Sequence, residues 1–174
     1  MKMNLKSKLA SAAAGILVAG FAVTLPASAA EWAPWQGQNE TAPLAIYTDS
    51  ADETGALLVC DGQGMMRAML SLKPASIPEL MAQSAKYSRS TRASIQVGDG
   101  EAAEGMFRYI PAIKSVEINS HSSAAKIFNS AVLGETLTVV TQREGTVESN
   151  LPKPNDTFKA FAKTCGSLRD QTPG

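Results

Sequence analysis

The sequence contains few of the side chains on which most catalytic and metal sites depend. Its 174 residues include two cysteines and one histidine. One histidine supplies too few ligands for a zinc site, and the cysteines do not form the C-x-x-C pair of thioredoxin-like enzymes. The sequence also lacks a phosphate-binding loop, a G-x-G-x-x-G motif, an H-E-x-x-H motif and a G-x-S-x-G elbow. We therefore expect no catalytic site, no cofactor and no metal.

Clustered positive charge is also missing. The chain carries 16 basic and 16 acidic residues in total. Residues 1–30 hold three lysines and no acid, so the remainder has 13 basic and 16 acidic residues, a net charge of −3. Nucleic-acid binding requires Lys and Arg clusters that neutralise phosphates. Nucleic acid is therefore not an expected partner.

The first thirty residues have the three parts of a secretory signal peptide. Lys2, Lys6 and Lys8 form a basic start, an apolar and alanine-rich stretch runs to Leu25, and "PASAA" supplies small residues for cleavage. The alternative is a retained anchor helix, but a membrane span needs about 20 predominantly apolar residues. We expect residues 1–30 to direct export to the periplasm or the exterior of a Gram-negative cell, leaving no stable membrane span.

The 144 residues after the signal are enough for a single domain. Polar residues, glycine and proline are frequent at both ends of this part, a composition typical of chain ends that fray. We predict a flexible segment over 31–43, one β-rich domain over 44–168 and a disordered tail over 169–174.

Hydrophobic spacing predicts short strands and few helices. Strands are expected at 44–48, 56–60, 65–72, 91–97, 106–110, 113–118 and 135–142, and helices near 76–85, from about 120 to 133, and from 156 to a stop at Gly166. The predicted class is α+β, mostly antiparallel β, as a sandwich-like or open barrel-like sheet of six to eight strands. Two or three short helices pack on it.

The two cysteines are predicted to form a structural disulfide. Cys60 ends an apolar strand, and Cys165 shares a helix stripe with Phe158 and Phe161, at spacings i, i+3 and i+7. Two cysteines in an exported chain commonly pair. A bridge from Cys60 to Cys165 would fix the last helix to the sheet.

Two functional alternatives rest on single features. A weak hydrolase would have to use His121, which is flanked by serines; a surface residue in the first turn of a helix is the favoured interpretation. A Cu(I)-binding protein could use Met65, Met66 and Met69, because thioethers are soft ligands. Ordinary core packing by methionine is favoured over that site.

Trp32 and Trp35 are the candidate contact residues of the leading segment. Tryptophan is enriched where proteins bind each other. The alternative, which we favour, is that one or both indoles pack against the edge of the domain.

The order of features resembles two groups of small exported proteobacterial proteins. A strand ending in "LLVCDGQG" is followed by "GMFRYI", the helix "AAKIFNSA", the strand "ETLTVV" and the helix "DTFKAFAKTC". This layout is similar to the invasion-associated locus B family and, in the two cysteines, to periplasmic accessory proteins encoded beside type VI secretion systems. The resemblance implies a β-rich periplasmic protein that binds a protein or envelope component without catalysis.

Overall fold

The computed structural model of the protein describes residues 30–49, 54–73, 77–82 and 87–171. The predicted signal peptide lies outside these ranges except for its last residue, Ala30. Residues 172–174 of the predicted tail also lie outside them.

Nine strands form one antiparallel sheet that curves into a half-barrel. They are β1 (Ala33–Pro34), β2 (Ala45–Thr48), β3 (Ala56–Cys60), β4 (Met66–Ser71), β5 (Arg89–Val97), β6 (Ala103–Ile110), β7 (Ser115–Ile118), β8 (Leu137–Thr141) and β9 (Gly145–Ser149). Their order across the sheet is β1-β2-β3-β4-β7-β6-β5-β8-β9. The predicted α+β class with a mostly antiparallel sheet is confirmed.

Most strands that are adjacent in the sheet are also consecutive in the sequence and are joined by short connections. Between β3 and β4, Asp61 Oδ1 accepts hydrogen bonds from the N–H groups of Gln63 and Met65, at 3.0 and 2.9 Å. Gly64 takes a left-handed φ of 75° in the same turn, which glycine adopts at little cost. The β4–β7 and β5–β8 pairings join the three locally formed groups of strands into one sheet.

Three α-helices of the described ranges accompany the sheet. They are α1 (Ile77–Ala82), α2 (His121–Leu133) and α3 (Asp156–Gln171). Apolar residues of α2 and α3, including Ile127 and Phe161, join one core cluster with residues of the sheet. We call the side of the sheet that carries these two helices the inner face. α2 ends as predicted, at Gly134 with a left-handed φ of 68°.

The last helix starts where predicted and ends later. Asn155 Oδ1 accepts the N–H of Phe158 at 3.0 Å, which satisfies a free donor of the first turn. The predicted stop at Gly166 is wrong, because α3 continues to Gln171. Gly166 does not adopt the left-handed φ that ends helices, and Leu168 beyond it packs against the core.

The opposite side, the outer face, is covered only in part. A second apolar cluster forms there from Leu57, Ile77 of α1, Ile110 and Ile113. Ile113 belongs to a short 3-10 helix, Pro111–Ile113. The buried apolar residues of the two longer helices, α2 and α3, belong to the inner cluster.

The segment expected to be flexible, 31–43, contains a strand that pairs with the sheet. β1 pairs with β2, and Trp35 N–H donates to Ala45 O at 2.9 Å. The described residues thus contain nine strands where six to eight were expected, with β1 and β9 the two that no strand prediction covered.

Candidate functional site

The two cysteines form the predicted disulfide. Cys60 at the end of β3 is bonded to Cys165 in α3, with their Cα atoms 5.9 Å apart and 105 residues between them in sequence. Both cysteines are buried. The bridge fixes α3 to the β3–β4 hairpin, so neither sulfur is a free thiol for chemistry.

Trp32 is a buried residue of the domain, as the favoured interpretation of this tryptophan has it, and not an exposed contact. Its side chain is 2% exposed and its ring lies 5.1 Å from that of Phe158. Its Nε1–H donates to Pro152 O at 2.8 Å, and its carbonyl accepts from Asn155 Nδ2 at 2.7 Å. These contacts tie the β1 edge of the half-barrel to the chain that leaves β9.

Trp35 lies on the other side of the same segment and is half-buried. Its ring meets Tyr47 edge-on, with centroids 5.5 Å apart, beside the outer apolar cluster. The favoured interpretation, an indole packed against the domain, therefore describes Trp32 fully and Trp35 in part.

His121 does not have the tautomer of a serine-activating base. Its Nδ1 accepts the N–H of Met66 at 2.9 Å, so the neutral ring carries its proton on Nε2. A Ser–His–acid triad needs the reverse, with Nδ1–H donating to the acid and Nε2 accepting from serine. The adjacent hydroxyls of Ser120 and Ser122 hydrogen-bond each other. His121 thus joins the start of α2 to β4.

The sheet separates the methionines of the copper hypothesis. Met66 and Met69 are three residues apart in β4, and alternation directs them to opposite faces. Met66 packs against the inner core and Met69 against the outer cluster, while Met65 precedes the strand and is 41% exposed. In the described ranges, no group of three or more His, Cys, Asp or Glu side chains is placed to hold a metal ion.

Three polar side chains connect the β6–β7 hairpin to the turn between β8 and β9. The Tyr109 hydroxyl donates to the Glu144 carboxylate, and Lys114 Nζ lies 3.4 Å from the second carboxylate oxygen. Burial, reinforced by Glu144, raises the pKa of Tyr109 to about 12. The hydrogen bond from Tyr109 lowers the pKa of Glu144. At neutral pH the phenol keeps its proton and the carboxylate stays ionised, so this arrangement is a structural tie.

The strand register places a group of apolar and basic side chains on the outer face, next to the second apolar cluster. Directly paired residues share a face, and so do residues two apart in one strand. Arg67 pairs with Val59, Met106 pairs with Arg92, and Ser94, two residues after Arg92, pairs with Val140. We call the following set the outer patch: Val59, Arg67, Met69, Arg92, Met106 and Val140.

The outer patch has exposed apolar atoms and two arginines, of which Arg67 interacts electrostatically with Asp61. Met106 is 64% and Val140 is 40% exposed. The Arg108–Glu117 pair, 2.7 Å apart, neutralises its own charges beside the patch. Arg67 and Arg92 have no ion-pair partner among the residues described. Depressions of about 120 and 220 Å³ border Arg67 and Arg92 respectively.

Sequence inspection did not identify the outer patch. Its six residues come from β3, β4, β5, β6 and β8, and only the pairing brings them together. The available signal was local: Arg92 alternates with Ala93, and Met106 with the buried Phe107, so each side chain had to face away from the core.

Comparison with protein-family models, curated proteins and solved structures finds no match to the chain. Within the described part of the chain, no helix has both the length and the apolar character needed to cross a membrane.

Proposed function

We propose that the chain is an exported binding protein of the bacterial envelope that acts by contact with another protein and not by catalysis. The outer patch carries this proposal. Protein interfaces are enriched in methionine and arginine, and the patch presents an exposed methionine between two arginines without ion-pair partners.

The charge of the patch indicates the chemistry of its partner. Two unpaired guanidinium groups, at Arg67 and Arg92, favour a surface that presents carboxylates around an apolar contact. Glu104 is the acidic residue at the border of the depression beside Arg92, and it would limit how closely a carboxylate approaches there. The proposed partner is therefore an acidic protein segment that covers Met106.

Export is the second part of the proposal. It rests on the basic start, apolar stretch and small residues of positions 1–30, and a disulfide is compatible with an oxidising compartment. The resemblance to invasion-associated locus B proteins and type VI accessory proteins favours the same location and an accessory role.

Site-specific photo-crosslinking tests the contact. A photo-reactive residue at position 106 should give one discrete crosslinked product in cells, because Met106 is at the centre of the patch. Leu133 at the end of α2 is 62% exposed, nearly the same as Met106, and provides the matched control position. Charge reversal by Arg92→Glu should abolish the product obtained from position 140. The proposal fails if position 106 gives no discrete product or the same product as position 133.

A further inference from the structure

A cleft on the inner side of the molecule combines apolar walls with hydrogen-bond donors that have no partner. It lies where the β3–β4 turn, α2 and α3 meet, and its volume is about 230 Å³. Met66, Phe128, Ala162 and Cys165 of the disulfide provide its apolar lining. The cleft lies on the inner side of the sheet and the outer patch on the opposite face, so the cleft can be tested independently of the proposed function.

Three side chains bring donors to this cleft. His121 uses Nδ1 as an acceptor, so its Nε2–H remains available without any change of protonation. The Asn129 amide and the Arg169 guanidinium, which also line the cleft, have no hydrogen-bond or ion-pair partner in the described chain. The Arg169 guanidinium is a permanent cation, and the Asn129 amide is neutral.

The cleft lacks a compensating negative charge. None of the described residues that line it is acidic. The Asp61 carboxylate, which interacts electrostatically with His121, accepts hydrogen bonds from its own turn. The N–H groups of Met65 and Gln63 lower the pKa of Asp61, so it stays ionised and engaged there. Arg169 therefore has no carboxylate of the described chain within the cleft.

From these observations we propose that the cleft binds a small organic carboxylate with an apolar body. Arg169 pairs with the carboxylate, because a guanidinium fits its two oxygens with parallel hydrogen bonds. His121 Nε2–H donates to the same group, whereas the Asn129 amide lies eight residues, about 12 Å, further along α2 and borders the remainder of the cleft. The apolar body of the ligand lies against Met66 and Phe128, where its burial contributes to affinity.

The cleft is preorganised by covalent and close backbone contacts. The disulfide fixes Cys165 to β3, one turn of helix before Arg169. At Gly64 the turn approaches α3 so closely that a Cβ atom there would lie 2.5 Å from the backbone nitrogen of Arg169. A rigid junction of this kind lowers the ordering cost of binding.

Binding of benzoate, with benzamide as the neutral molecule of the same shape, tests the proposal. We expect benzoate added to the isotope-labelled, oxidised protein to shift the NMR signals of the Asn129 side-chain amide, the Arg169 Nε–H and the Met66 N–H. Benzamide should bind at least about tenfold more weakly, because it cannot form the charge-assisted pair.

Two charge-removing variants of α3 complete the design. Arg169→Gln should weaken benzoate binding at least about tenfold, whereas Lys163→Gln removes the same charge from an exposed position of the same helix and should leave affinity unchanged. Both residues are exposed, so both variants should fold. The proposal is overturned by an absence of benzoate binding, by equal affinity for benzamide, by equal effects of the two variants, or by signal changes confined to other parts of the protein.

Discussion

The hydrogen bond between the Tyr109 phenol and the Glu144 carboxylate makes the stability of this protein depend on pH in two ranges. Tyr109 is 3% exposed and its hydroxyl donates to Glu144, so the folded protein holds the phenolic proton more tightly than an unfolded chain does. The contribution of Tyr109 is complete below its unfolded pKa of 10.0 and is lost as pH rises toward about 12. The lowered pKa of Glu144 makes the stability of the protein depend on pH in the acidic range. Its contribution is present above 4.5 and is lost as pH falls through the folded-state pKa.

Replacement of Tyr109 by phenylalanine removes the hydroxyl and keeps the ring. We expect Tyr109→Phe to lower the free energy of unfolding at pH 7 by about 1–3 kcal/mol, because the half-buried Glu144 loses its donor. The difference from the wild type should shrink between pH 10 and pH 12, measured by urea unfolding.

Tyr87 provides the control for this prediction, since it is 63% exposed and contacts Arg89 through its ring. Tyr87→Phe should change the free energy of unfolding by less than about 0.5 kcal/mol over the same pH range. An effect of Tyr109→Phe that is as large at pH 12 as at pH 7 would contradict the assigned hydrogen bond.

The turn after Cys60 offers a comparison between two glycines. Gly64 has a left-handed φ, and an added Cβ would lie 2.5 Å from Arg169 N, whereas at Gly62 nothing lies within 4 Å of an added Cβ. Gly64→Ala should therefore destabilise the protein by about 2–3 kcal/mol through backbone strain and overpacking. Gly62→Ala should be neutral or stabilise by up to about 1 kcal/mol. Thermal unfolding of the two variants distinguishes them, and equal effects would show that α3 does not approach this turn.

At the scale of elements, Asn155 connects the start of α3 to the β1 edge of the sheet. Asn155 caps the helix through its Oδ1 and reaches back to the Trp32 carbonyl through Nδ2. Asn155→Ala loses both bonds and should cost about 1.5–3 kcal/mol. Asn155→Ser keeps a capping oxygen and loses the donor, so it should cost about 1 kcal/mol. Urea unfolding compares the two, and equal losses would show that one of the two hydrogen bonds contributes nothing.

Elements with a strong local pattern were predictable from the sequence. The alternation around Ile95 predicted β5, and the apolar spacing with Gly134 behind it predicted α2 and its end. β9 has a single apolar residue, Val147, and β1 is two residues long and includes Pro34, so neither had a pattern to detect. These edge strands exist because the sheet beside them provides hydrogen-bond partners.

The candidate sites depended on contacts that the sequence does not encode locally. The burial of Trp32 requires Pro152, 120 residues away. Met66 and Met69 lie on opposite faces because β4 is a strand and successive side chains of a strand alternate between its two faces. The outer patch needs the register of strands far apart in the chain. The disulfide was predictable, because the expected compartment and the number of cysteines sufficed.

At the scale of the whole molecule, the disulfide joins the first group of strands to the last helix. It closes a loop of 105 residues, for which the chain-entropy model expects about 4–5 kcal/mol of stabilisation. A single domain is typically stable by about 5–15 kcal/mol in total. The bridge is therefore expected to supply a large share of the free energy of unfolding.

Removal of both cysteines tests this contribution directly. The Cys60→Ala, Cys165→Ala double variant should remain folded but lose about 3–5 kcal/mol of unfolding free energy, and its urea midpoint should not respond to a reducing agent. The wild type should fall to nearly the same midpoint once reduced, and its denatured, non-reduced form should have no free thiol. If the double variant unfolds at the same urea concentration as the oxidised wild type, the closed loop does not restrict the unfolded chain. The attachment of α3 would then rest on the packing of Phe158 and Phe161 against the inner face, with the cysteines acting as ordinary buried side chains.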